Sequence, residues 1–135
     1  MQIQASDTLP VKKEEDVVRV RQATRTVAQK SGLNLVDQTK IVTAASELAR
    51  NTLIYGGGGT VLIETIVDNG RNGVRLTFED KGPGIPDIDL ALRDGYTSGS
   101  GLGLGLSGAK RLANEFTINS RVGEGTTVSI TKWKT

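Results

Sequence analysis

A chain of 135 residues falls within the roughly 100–200 residues of one domain, so 1–135 are expected to form a single unit. It is 36% hydrophobic and 24% charged with a net charge of +2 spread along its length, which indicates neither disorder nor a basic face for nucleic acid. Cys and His are both absent, which removes disulfides, thiolate nucleophiles, imidazole bases, Ser-His-Asp triads, His-ligated metals and a phosphohistidine.

Residues 2–11 read as a short leading strand ending near Pro10. This first stretch has neither the apolar run of a secretion signal nor an Arg-rich amphipathic pattern, so a cytoplasmic location is expected. Over 14–30 the spacing of Val17, Val20, Thr24, Val27 and Ala28 is helical, and Ser31-Gly32 closes it. A second helix starts from Asn34 or Asp37 and carries the stripe Ile41, Ala44, Ala45, Leu48, Thr52 and Tyr55. Four glycines at 56–59 stop it. Strands follow over 60–67 and 74–80, joined by DNGRNG, with Val74, Leu76 and Phe78 on one side and Arg75, Thr77 and Glu79 on the other.

A short helix is expected over 87–93, a Gly/Ser loop over 94–101, a helix over 102–115, and a closing hairpin of 116–122 and 126–133. Helices and strand pairs come in blocks. That favours an α+β two-layer sandwich with helices on one face of a mixed, largely antiparallel sheet. No apolar run reaches the ~18 residues of a spanning helix, so no membrane is expected. The aromatic residues Tyr55, Phe78, Tyr96, Phe116 and Trp133 are too few for a base-stacking platform.

Three segments could carry chemistry. Glu47 and Asn51 stand four residues apart and share a helix face beside the apolar stripe. They form either a solvated polar edge or one wall of a cleft. Asp80 has the parity of Val74, Leu76 and Phe78, so a carboxylate ends a core-facing row, which is costly unless something donates to it. It either caps its own turn before Gly82-Pro83-Gly84 or awaits the amine of a ligand. In the third segment, Gly101, Gly103 and Gly105 alternate with leucines and lead into a helix N-terminus; it is either a flexible surface loop or a cradle whose free N–H groups and helix dipole suit phosphate. A dinucleotide fingerprint is rejected there because no buried strand precedes it, and a Walker loop is absent because no Gly-Lys pair occurs.

In combination and in this order, the three segments resemble the GHKL ATP-binding superfamily, whose nucleotide site is the Bergerat fold. The stretches AASELARN, EDKGPGIPDI, DGYTSGSGLGLGLSGAKRL and GEGTTVSITKW look like its small serine/threonine kinases of anti-sigma regulation. The resemblance runs along nearly the whole chain. It implies ATP and Mg²⁺ as cofactors, with Asn51 ligating the metal through its amide oxygen and Asp80 accepting from the adenine amine. Gly82, Gly84 and Ile85 would line the base pocket, and Gly101, Leu102, Gly103, Gly105 and Leu106 would wrap the phosphates. Thr126 would support Asp80 or reach adenine through water, and Glu47 would be the general base.

The same resemblance implies phosphorylation of a STAS-domain antagonist or scaffold protein in a stressosome-type pathway, and activation of a phosphatase after release. Two alternatives stay open: a non-catalytic partner-switching module, and an anti-sigma kinase that binds a sigma factor directly. The oligomeric state, a homodimer included, is also open.

Overall fold

The computed structural model describes residues 1–93 and 105–135. Strand β1 (Gln2–Val11) leads into helices α1 (Glu14–Lys30) and α2 (Leu35–Ile54), followed by strands β2 (Gly59–Asp68) and β3 (Arg71–Asp80). Helices α3 (Ile88–Ala91) and α4 (Gly105–Leu112) precede the last pair, β4 (Glu115–Arg121) and β5 (Gly125–Trp133). The strands form one sheet in the order β1-β2-β3-β5-β4, and each neighbouring pair is antiparallel. The expected two-layer α+β sandwich is therefore present. No helix among the described residues is long and apolar enough to cross a membrane.

One face of the sheet makes the core. Val61 and Val128 flank Phe78 across the strands, and Ile63 and Ile130 flank Leu76; all of these side chains are buried. Above them α2 packs between α1 and α4, contributing buried Ile41, Ala44, Ala45, Leu48 and Ala49. The small residues in that stripe let the helix approach the sheet closely, because interiors pack near crystal density. On the opposite face Arg75 forks onto buried Glu64 with bonds of 2.8 and 3.2 Å, and Arg71 lies 4.5 Å from the centre of the Trp133 ring.

The helix starts are set by short polar contacts. Asn34 caps α2, its side chain accepting from the Asp37 amide at 2.8 Å. Asp37 is left to pair with Lys132 of β5 at 3.6 Å, with both side chains nearly buried. Lys13 gives α1 no side-chain cap. The buried carboxylate of Asp16 instead ties the incoming chain to the first turn, accepting from the Lys12 amide at 2.9 Å, while Arg19 donates to its other oxygen at 2.9 Å.

Some boundaries differ from the sequence expectation. The 68–73 turn shrinks to Asn69-Gly70, both at positive φ, and Arg71, Asn72 and Gly73 join β3 opposite Asp68, Val67 and Ile66. A two-residue turn with both residues at positive φ has the twist of the strands it joins. The helix expected over 102–115 is α4, Gly105–Leu112 within the described residues. It ends early because the Asn114 amide turns to the Thr131 carbonyl at 2.9 Å, which starts β4. The 94–101 loop lies outside the described residues.

Leu76→Ala should destabilise the chain by about 2–5 kcal/mol, the usual cost of a core truncation, measured by denaturant unfolding. The Lys12 amide foremost, and then Arg19, hold Asp16 below its ordinary value against opposing desolvation. Its contribution is therefore present above the unfolded carboxylate value of ~3.9 and disappears as pH falls through the lowered folded value. Acid unfolding of Asp16→Asn should show a shallower fall in that window than the parent chain.

Candidate functional site

The core-facing rows end in a cavity of about 380 Å³, within the ordinary range for small-molecule sites. Leu48, Phe78 and Val128 form its apolar depth, and Asn51, Asp80 and Thr126 bring polar groups. The three polar residues come from three different elements. Asn51 sits in the last turns of α2, one turn beyond the buried stripe residue Leu48. Asp80 ends β3 opposite Gly59 of β2 and Thr126 of β5, so strand alternation alone carries it to the helix-facing side.

Asp80 makes the turn contact expected of it and also faces the cavity. One carboxylate oxygen accepts from the Gly82 amide at 2.9 Å, which is a turn contact, and the residue also lines the cavity. Its other flank meets Gly56, where a Cβ would collide with the carboxyl group. Gly82 in turn packs on Gly56, since a Cβ on Gly82 would lie 2.7 Å from the Gly56 Cα. The end of α2 and the β3 loop thus touch through backbone alone around one acidic side chain.

The loop after β3 is fastened to the β4–β5 hairpin. Gly123 donates to the Pro83 carbonyl at 2.8 Å, and the Ile85 amide donates to Ser120 Oγ at 2.8 Å. Gly84, at φ +79°, fits against the Arg121 carbonyl where a side chain would not. Asp87 then caps α3, accepting from the Leu90 amide at 3.0 Å, and Leu90 and Ala91 close that side of the cavity. At the far side Gly105 and Leu106 place the first turn of α4 on the wall, where amide dipoles favour a negative group.

Among the residues singled out from sequence, Asn51, Asp80, Gly84, Ile85, Gly105, Leu106 and Thr126 meet in this cavity. Gly82 stands behind Asp80 and outside the lining. Glu47 is half-buried one turn before Asn51 and is also outside the lining. Gly101, Leu102 and Gly103 lie outside the described residues. Sequence reasoning missed Gly56, read only as a helix stop, and Ser120, whose position opposite Thr126 shows only once β4 and β5 are paired. The run of four glycines was the available signal for the first; nothing local marked the second.

Residues 36–135 match the family of histidine kinase-, DNA gyrase B- and HSP90-like ATPases. The chain belongs to this family. The serine/threonine-protein kinase RsbT of Bacillus subtilis strain 168 is 49% identical over 120 residues, covering 89% of this chain and 90% of RsbT. Within the family, then, the chain is an RsbT-like serine/threonine kinase. An anti-sigma F factor of Geobacillus stearothermophilus is 36% identical over 101 residues, covering 70% of this chain and 68% of that protein. The solved RsbU and RsbW domains of a Mycobacterium tuberculosis protein share the fold at a TM-score of 0.64 and 22% identity, over 95% of this chain. This chain spans 31% of that longer molecule.

The residues present fit a nucleotide. The lining offers apolar walls for a flat base, one inward carboxylate at their end and a helix start for anionic groups. Gly56→Ala tests the close approach: it should leave the fold intact while displacing the Asp80 carboxylate. ATP affinity, followed by calorimetry, is expected to fall roughly tenfold or more, the worth of one lost charge-assisted hydrogen bond.

Proposed function

We propose that residues 1–135 act as one kinase domain that uses Mg-ATP to phosphorylate a serine or threonine of a STAS-domain antagonist or scaffold protein. The setting is a stressosome-type partner-switching pathway, in which the released kinase activates a phosphatase or other output protein. The observation that carries the reading is the meeting of Asp80 and Asn51 in one apolar cavity of an RsbT-like chain. Strand β1 and helix α1, which precede the family-matched segment, pack onto the same core and support a single unit.

Asp80 would accept from the exocyclic amine of adenine, with Gly84 and Ile85 beside the ring and Gly82 holding the carboxylate in place. Asn51 is suited to Mg²⁺, because its amide oxygen is a hard donor and this cation keeps most of its waters, needing few protein ligands. The bound cation would neutralise phosphate charge, which together with alignment is most of what phosphoryl transfer requires of a protein. Gly105 and Leu106, with Gly101, Leu102 and Gly103 before them, would turn backbone N–H groups to the phosphates. Glu47 would take the proton of the attacking hydroxyl as its oxygen bonds the γ-phosphorus and the bond to the bridging oxygen of departing ADP breaks. A carboxylate suffices for that step, and the lack of His is no obstacle.

A second reading is favoured by the anti-sigma F factor relatives: direct binding of a sigma factor. Pull-down with candidate sigma factors separates the two, and the first reading expects no stable complex. In the transfer assay, Asp80→Asn and Asn51→Ala should abolish movement of labelled phosphate to a STAS protein. Glu47→Ala should retain ATP binding and lose about 10²–10⁴-fold in rate, the usual share of a general base. Full activity in these variants would refute the site; phosphatase activation surviving Glu47→Ala would make binding a separable output.

A further inference from the structure

Beside Asp80 stands a hydroxyl pair, one member of it on the cavity lining, whose hydrogen bonds can all be satisfied in only one way. Ser120 of β4 and Thr126 of β5 are direct cross-strand partners, and Thr126 pairs in turn with Asp80 of β3. Ser120 itself is outside the cavity lining and Thr126 is part of it. Ser120 Oγ has three neighbours: it accepts from the Ile85 amide at 2.8 Å, reaches the Gly125 carbonyl at 3.2 Å and meets Thr126 Oγ1 at 2.7 Å.

A serine hydroxyl has one proton and two lone pairs. The Ile85 amide can only donate and the Gly125 carbonyl can only accept. When all three contacts are made together, the Ser120 proton goes to Gly125 and the Thr126 hydroxyl must donate to Ser120. The serine oxygen is then saturated. Thr126 has spent its proton and turns only lone pairs toward the cavity, beside a carboxylate that is itself an acceptor.

We propose that Ser120 is a positioning residue that draws the Thr126 proton out of the cavity and makes this wall acceptor-only, so that the site selects 6-amino over 6-oxo purine nucleotides. The proposal rests on the reading of Asp80 as the acceptor for the base. An exocyclic amine brings two N–H donors to such a wall. A 6-oxo group sets lone pair against lone pair, and an uncompensated buried acceptor is more costly than a missing bond.

The test is calorimetric titration of the full chain with ATP and with inosine triphosphate, which differs by the 6-oxo group and its N1 proton. Ser120→Ala frees the Thr126 proton to turn inward, and the preference for ATP should fall about tenfold. Thr126→Val keeps the β-branched shape and leaves the Ser120 bonds to Ile85 and Gly125 in place, so it should lower the same ratio even if Ser120→Ala fails to fold. Ser120→Thr retains the hydroxyl and should keep the preference. An unchanged ratio in folded Ser120→Ala, or equal losses for both nucleotides, would overturn the proposal and leave Ser120 as a support for the Ile85 loop. Asp80→Asn separates the underlying reading: if it leaves the preference for ATP untouched, Asp80 is not the base acceptor, whereas loss of preference there but not in Ser120→Ala refutes the serine alone.

Discussion

A carboxylate at the end of a buried row is the constraint around which this molecule is built. Asp80 sits where strand alternation would put another Val or Phe, and a half-buried carboxyl group there needs hydrogen-bond donors or water to offset its burial. The Gly82 amide supplies one donor, and Gly56 lets the end of α2 close against the other side. Gly56 and Gly82 follow from this single placement, because a side chain at 56 would occupy the space of the carboxylate and one at 82 would strike the Gly56 backbone beside it. The turn contact and the place on the cavity lining thus belong to one residue, with its two oxygens in different surroundings.

The architecture separates holding the chain together from doing its chemistry. The Asp37–Lys132 pair lies where the start of α2 meets the end of β5, and the Glu64–Arg75 fork lies on the face of the sheet turned away from the helices. Neither group lines the cavity. At the other end three polar side chains hold local structure: Asp87 holds α3, Ser120 the loop, and one oxygen of Asp80 its turn. Truncations in the centre of the sheet are expected to change stability, and changes at its rim to change recognition.

Much of this was legible in the sequence because local rules govern it. The alternation of Val74, Leu76 and Phe78 predicted their burial and, by extension, the orientation of Asp80; the 3.6-residue spacing of Ile41, Ala44, Ala45 and Leu48 predicted the face of α2 and placed Asn51 beside it. The rest was hidden because it depends on pairing between distant segments. Nothing near Ser120 indicates that it will face Thr126 or hold Ile85, since that requires β5 to insert between β3 and β4. The start of α1 is another such case, since Asp16 inside the helix reaches back to the Lys12 amide before it. Glu47 illustrates the limit of helical geometry: sharing a face with Asn51 brought it near the cavity without making it part of the lining.

The cavity has no wall of its own: segments around 48–56, 78–91, 105–106 and 126–128 each contribute a side, and only the complete sheet and helix layer bring them together. An unfolded chain therefore offers a nucleotide nothing to hold, and binding must count in full toward the folding equilibrium. By mass action a ligand at a hundred times its dissociation constant adds about 2.7 kcal/mol. The melting temperature of this chain is thus a direct gauge of nucleotide supply, and a cell that runs short of its ligand also weakens the protein that uses it.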